Sequence, residues 1–327
     1  MATGLEFPAA FTFAKSGRIY FGERLTGWID TLDPKTGHHH RIFHVPSVVS
    51  DGEQGLLGIA LAPGFPGNPS VYVYATRSVG GLKNQILRIA IENGKGTAMH
   101  VVFTSSTEAG SYHDGGHIAF GPDGMLFAIV GESHSAGNAQ DLEVSGGKIL
   151  RMTPSGGIPS GNPFHSRVYA YGIRNSFGFT FDPQTGRLWE SENGPSCNDE
   201  LNRIMAGRNY GWGPSNTCDS PPDPPRNTNR DGKNPVQPLR WYTPTIAPTG
   251  VAFCTACGLG AGSNGRLFFG AYNTGDIRRI NLTSNRMGVA SQQVVYHHDS
   301  GVLSVERAPN GGLYFSDGQG IFRLIRG

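Results

Sequence analysis

Four short segments carry residue types and spacings that could do chemistry. In Tyr112–His117 (YHDGGH), His113 is the candidate general base, because an imidazole changes charge near neutral pH and the two following glycines let a ligand approach the backbone closely. In Tyr171–Gly178 (YGIRNSFG), Arg174 offers a planar fork of donors suited to a carboxylate or to charge developing on a ligand oxygen, and Asn175 offers a mixed donor and acceptor. In Glu53–Gly58 (EQGLLG), Gln54 is placed to hydrogen-bond a ligand, unless the segment is only a tight turn shaped by its glycines. The longest segment, Ser191–Gly213, contains Gly194-Pro195, whose adjacent carbonyls suit a hard cation such as Ca²⁺, with Asp199, Glu200 and Tyr210 supplying further oxygens. The same stretch also reads as a short helical turn opening at DELN and capped by Asn198 or Asp199.

Such residues need a frame, and the chain supplies one by repetition. An apolar strand, a turn rich in Pro, Asp, Asn or Gly, and a second strand recur from Phe11, Ile59, His117, Phe179, Val251 and Leu303. Further strand candidates lie between these hairpins: QILRIAI from Gln85, KILRMT from Lys148 and DIRRINL from Asp276. Adding them gives about four strands per unit, the make-up of a propeller blade. The expectation is an all-β, six-bladed β-propeller of four-stranded antiparallel blades: one domain over residues 1–327, with an irregular Pro- and Asn-rich loop at about 214–238. Two packed β-sandwiches would require a linker near mid-chain, where the repeat instead continues. Loops from several blades of a propeller converge at the mouth of its channel, which brings the four segments together.

Composition agrees: the 327 residues include 48 Gly and 22 Pro, and only 16% are charged, which suits short strands and tight turns. A formal net charge of +2 gives no field for polyanions, so nucleic acid is excluded as an expected partner, and no apolar run approaches the length of a membrane span. Of the four cysteines, Cys197 and Cys218 flank the long loop, where a crosslink removes chain entropy. Disulfides and an exported location, secreted or periplasmic, are therefore expected ahead of a zinc site built on Cys254 and Cys257 with the other pair. The HHHR run at His38–Arg41 follows a DPKTG turn and reads as a solvated hairpin end.

Taken in order, EQGLLG, HxGG before FGPDG, GxRNxxG before FDPxTG, and ENGP followed by DELNxIxxGxNYGW resemble the soluble glucose/sorbosone dehydrogenase family. These are aldose dehydrogenases dependent on pyrroloquinoline quinone (PQQ) and built on six-bladed propellers. The resemblance implies that Gln54 contacts the cofactor and that Arg174 and Asn175 flank the quinone. It also implies that His113 takes the proton of the sugar C1 hydroxyl while hydride passes to quinone carbon C5. The carbonyls of Gly194 and Pro195 would hold Ca²⁺ there, with Glu200 and Tyr210 at a second, structural calcium site. Two departures stand out. Asn273 occupies the position of a family lysine, and Val302 and Ser304 stand where the family carries an Arg-x-Arg pair; Arg278, Arg279, Arg307, His297 and His298 are the nearby cations that could substitute. Tyr112 and His117 also replace a small polar residue and an arginine. The expected function is a PQQ- and Ca²⁺-dependent sugar dehydrogenase forming a lactone and passing electrons to an acceptor. The alternatives are a cofactor-free, calcium-dependent lactonase and a carbohydrate-binding propeller.

Overall fold

The apolar first strand of each repeat becomes the innermost strand of a four-stranded antiparallel sheet, and six such sheets form the blades of a propeller. In chain order the innermost strands of blades 1 to 6 are Ala10–Phe13, Leu56–Leu61, Gly115–Phe120, Ser176–Phe181, Pro248–Phe253 and Ser304–Arg307. The fold is taken from a computed structural model that describes residues 2–218 and 224–326. Each blade runs outward strand by strand, as blade 3 does through Gly115–Phe120, Leu126–Val130, Lys148–Met152 and Val168–Tyr171. Blade 6 borrows its outer strand from the start of the chain: Ala2–Thr3 pairs with Gly320–Arg323, Ala2 lying opposite Ile321. That pairing ties the two ends of the chain into one sheet and closes the ring, which leaves only short edges.

Both faces of a blade are covered by its neighbours, so its strands carry apolar residues on both sides. Ser70–Ser78 in blade 2 shows the consequence: Val71 and Val73 pack toward Ile29 and Leu56, whereas Tyr72 and Tyr74 pack toward Leu126 and Leu150 of blade 3. Each such fully buried side chain contributes roughly 1.5–3 kcal/mol. Where innermost strands of adjacent blades meet, the spacing excludes side chains. A Cβ on Gly58 would lie 2.0 Å from the carbonyl oxygen of Gly116, and one on Gly178 would lie 2.3 Å from that of Thr249.

The three intervening segments from Gln85, Lys148 and Asp276 fall within the third strands of blades 2, 3 and 5. DELN does not open a helical turn. Asp199–Ile204 is the third strand of blade 4, because Leu201 and Ile204 are buried and the segment pairs residue for residue with Leu188–Glu192. Among the described residues there is no α-helix. His38–Arg41 is exposed and lies at the turn end of the hairpin that Trp28–Leu32 forms with His39–His44, the outer strand of blade 1. The cysteines form Cys197–Cys218 and Cys254–Cys257 disulfides, so no thiolate is left for zinc. The first of these closes the base of the irregular loop, of which residues 219–223 lie outside the described residues.

Candidate active site

Four innermost strands carry a register shift at the end where they begin, between Leu56 and Gly58, Gly115 and Ile118, Ser176 and Gly178, and Pro248 and Val251. Such bulges re-aim the strand ends and the loops that precede them. At this mouth of the channel lies a cavity of about 440 Å³ whose wall includes Arg24, Glu53, His113, Arg174, Asn193 and Asp199.

His113 sits at a left-handed backbone position, φ 64°, which turns its ring into the cavity rather than along the strand. Its Nδ1 bonds the carboxylate of Glu132, and Nη2 of Arg174 lies 2.9 Å from its Nε2. A guanidinium can only donate, so Nε2 accepts and the proton resides on Nδ1, facing Glu132. The ring is thus neutral, held in one tautomer by a buried carboxylate, with its lone pair on the cavity side. His134 packs edge-on against it at 4.2 Å between centroids and stacks in turn on the half-exposed Tyr112.

Arg174 is fixed from several directions. Its backbone N–H donates to Glu192, its Nη1 donates to the Asn193 carbonyl at 2.9 Å, and its guanidinium lies 5.3 Å over the Trp212 ring. Burial pushes its pKa down, and the surrounding carboxylates of Glu132, Glu192, Glu53 and Asp199 oppose that shift and keep the cation. Glu53 joins blades 2, 3 and 4 by accepting from the His113 backbone N–H at 2.8 Å and from Asn175 Nδ2 at 2.9 Å. Asn175 Oδ1 accepts from Gly115 N–H at 3.2 Å.

Gly194 and Pro195 line the cavity, and among the described residues no donor reaches either carbonyl. Asp199 sets this turn by accepting from Gly194 N–H at 2.8 Å and from the N–H groups of Ile246 and Ala247 at 2.6 and 2.7 Å. Behind it lies a separate void of about 10 Å³, the size of one water or ion, lined in part by Glu192, Glu200, Asn198 and Asn229. Glu190, Glu192 and Glu200 are buried side by side. Burial, reinforced by Glu200, pushes Glu190 up to about 8; burial, reinforced by Asp199, pushes Glu200 up to about 7; burial with the two neighbouring glutamates holds Glu192 well above the ordinary range. Tyr210 faces this group with its carbonyl, which accepts from Asn229 Nδ2 at 2.7 Å, as Glu200 Oε2 does at 3.1 Å. The Tyr210 hydroxyl turns away to the Arg203 carbonyl at 2.7 Å. Among the described residues no three His, Cys, Asp or Glu side chains converge as a metal-ligand set, so oxygens here come from mixed backbone and side-chain sources.

The structure therefore brings His113, Arg174, Asn175, Gly194 and Pro195 to one cavity and sets Glu200 and Tyr210 beside it. Gln54 does not face it: the side chain is buried and donates to the Gly110 carbonyl at 2.6 Å, while its neighbour Glu53 lines the wall. Asn273 lines the cavity as the sequence suggests, but the final blade presents Leu303 there, with Val302 and Ser304 buried between blades. None of the five nearby cations reaches the wall. Arg278 and His297 pair with Asp276 at 2.9 and 3.2 Å, Arg279 bonds Gln293 at 2.9 Å, His298 pairs with Asp317 at 2.9 Å, and Arg307 ends its strand exposed at the far mouth.

The cation that sequence reasoning missed is Arg24, from blade 1. It stacks 4.3 Å from the Phe7 centroid and donates through Nη1 to the Gly52 and Gln54 carbonyls at 2.7 and 2.9 Å. Glu132 and Glu53 were also missed. A signal existed for Glu132: the second strand of four repeats ends in an acid or is followed by one within two residues, at Glu23, Glu132, Glu192 and Asp317. His117 lies inside the channel, where burial pushes its imidazole down to about 4, so it is neutral.

A family model described as glucose / sorbosone dehydrogenase matches residues 5–326. Quinoprotein glucose dehydrogenase B of Acinetobacter calcoaceticus is 30% identical over 243 residues, 64% of this chain and 51% of that protein. The aldose sugar dehydrogenase YliI of Escherichia coli is 34% identical over 179 residues, 51% of this chain and 48% of that protein. The matched region thus spans about half the length of each of these two relatives. The PQQ-bound aldose sugar dehydrogenase of Streptomyces coelicolor superimposes with a TM-score of 0.86 at 32% identity, covering 98% of this chain and 95% of that one. With its repeats, its cavity and this match along nearly its whole length, the chain belongs to the glucose/sorbosone dehydrogenase family.

Proposed function

We propose that the protein oxidises an aldose at C1 to the lactone with PQQ and Ca²⁺, and passes the electrons to an external acceptor. The observation that supports this most directly is the Glu132–His113–Arg174 chain, a neutral imidazole held with its lone pair toward the cavity beside a fixed cation. In this reading the C1 hydroxyl takes the place of Arg174 Nη2 at His113 Nε2 and gives that nitrogen its proton, Glu132 stabilises the imidazolium that forms, and Arg174, still held through Nη1 by the Asn193 carbonyl, offsets negative charge developing on oxygen.

The residues fit the cofactor at its reacting end. The carbonyls of Gly194 and Pro195 are unclaimed, Asn193 Oδ1 is buried without a partner, and Arg174 and Asn175 line the same cavity beside them, each bonded to Asn193. When bound, the quinone supplies a two-electron sink that no side chain offers, and Ca²⁺ supplies a Lewis acid. At the carboxylate end, Arg24 is the charge that stands in for the lysine and the arginine pair.

A second reading, calcium-dependent lactone hydrolysis by His113 and water, is favoured by the apolar and neutral wall at Leu303 and Asn273. Two disulfides support an exported location, periplasmic or secreted. Among the described residues no helix is long and apolar enough to cross a membrane.

The proposal is tested by sugar-dependent dye reduction with His113→Ala. Loss of a general base lowers turnover about 10²–10⁴-fold, with PQQ affinity retained. Unchanged turnover would remove His113 from the role.

A further inference from the structure

The innermost strands end at the opposite mouth of the channel, where a second cavity of about 400 Å³ opens. His117 lines both cavities; the groups assigned above otherwise stand apart from this one. Because the blades repeat, its wall can be compared position by position. The next-to-last residue of the innermost strand is Thr12, Ala60, Ala119, Thr180 and Ala252 in blades 1 to 5, and Glu306 in blade 6. Five blades show that the fold asks only for a small side chain there.

A carboxylate at such a position is a cost unless something pairs with it. Among the described residues Glu306 has no hydrogen-bond or ion-pair partner, and burial alone pushes its carboxyl up to about 8 with no cationic neighbour to offset it. Lys15, at the rim, is exposed to solvent.

The rest of the wall is aromatic. Phe13, Phe65, Phe120 and Phe181, one from each of blades 1 to 4, line the cavity and are only partly buried. Each is braced edge-on by a ring behind it: Tyr314 at 5.1 Å, Tyr20 at 5.4 Å, Tyr72 at 5.0 Å and Phe127 at 5.1 Å. Braced phenyl rings around one unpaired carboxyl match the chemistry of an organic ammonium, whose charge is attracted by the aromatic faces and stabilises the ionised form of the acid beside it. A hard metal ion is a poor match, since it wants six or more oxygens and the side chains lining this cavity offer Glu306, Thr12 and Thr180.

We propose that this cavity binds a small organic monocation, an ammonium with an apolar body, its charge at Glu306 and its body against the four phenylalanine rings. The test is calorimetric titration of the full chain above the Glu306 pKa of about 8, with phenyltrimethylammonium and with its neutral near-isostere 2-phenyl-2-propanol, repeated on Glu306→Gln and His113→Ala. Saturable one-to-one binding of the cation is expected, with a dissociation constant below about 1 mM. The neutral compound, and the cation on Glu306→Gln, should bind about tenfold or more weakly, while His113→Ala should bind the cation as the wild type does. A melting temperature of Glu306→Gln at or above that of the wild type establishes that the variant is folded. Absence of saturable binding, or equal affinity for the neutral compound or the glutamine variant, would overturn the proposal. So would loss of binding in His113→Ala, which would put the cation in the other cavity.

Discussion

Replacing Glu132 by Gln keeps the size of the side chain and removes the charge that fixes His113. The wild-type contact joins an imidazole N–H to a buried carboxylate. A hydrogen bond to a charged group contributes roughly 1.5–3 kcal/mol and a neutral one roughly 0.5–1.5, so the imidazolium formed during proton transfer loses about 1–1.5 kcal/mol of support. At 1.36 kcal/mol per factor of ten, that is about a tenfold drop in kcat. A second effect adds to it. The glutamine amide can rotate to donate to Nδ1, which moves the ring proton to Nε2, where it opposes the Arg174 donor 2.9 Å away and removes the lone pair that does the chemistry. We therefore expect kcat to fall about 10–10³-fold, with KM for the sugar changed less than about threefold because Glu132 is absent from the cavity wall. Dye-coupled steady-state kinetics on the calcium- and PQQ-loaded protein measure both. A folded variant with kcat within about twofold of wild type would refute the role assigned to Glu132, and with it the argument that fixes the tautomer of His113.

Two further outcomes concern stability. Opening the Cys197–Cys218 crosslink by a double Cys→Ser change frees a loop with a sequence separation of 21. Loop entropy then predicts a loss of about 3 kcal/mol, or about 5 °C in Tm for a chain of this length, read by thermal denaturation; an unchanged Tm would show that the loop is held by its other contacts. For Glu306 the folded pKa, about 8, lies above its ordinary value of 4.5, so the fold favours the protonated form. Its contribution is complete below about 4.5 and is lost as pH rises through about 8. Glu306→Gln should therefore raise Tm relative to wild type at pH 9 and match it at pH 5. The gap corresponds to about 1–3 kcal/mol once the hydration of the channel is allowed for, and a gap that does not grow with pH would contradict the assignment.

The propeller was legible because repetition is a property of the chain itself. Six hairpins with the same turn chemistry leave few other ways to cover both faces of every sheet. The loop residues His113, Arg174, Gly194 and Pro195 were legible for a related reason, since each stands at a fixed place in its repeat. What the sequence hides is contact between blades. Arg24 and Asn273 are 249 positions apart yet line one wall, and no local pattern encodes that. Side-chain direction near a bulge is equally hidden. A shift of one residue in the approach to a strand exchanges wall and interior. That is why Glu53 rather than Gln54 faces the cavity; in blade 6, whose innermost strand pairs without a bulge, Leu303 lies just ahead of the strand and lines the cavity in place of Val302 or Ser304. Distance from the channel is hidden as well: Arg278 and Arg279 lie on the third strand of blade 5, two strands outward from the innermost one.

The central claim is that a cavity with Arg24 in place of the lysine and arginine pair still accepts a tricarboxylate quinone. Equilibrium titration of the purified, calcium-loaded protein with PQQ, followed by absorbance and then by addition of aldoses, addresses it most directly. The account predicts saturable binding in the micromolar range or tighter, roughly −8 kcal/mol or better, and bleaching of an added dye only when an aldose is present. No saturable binding at that concentration would contradict it and leave lactone hydrolysis by His113 as the reading to pursue.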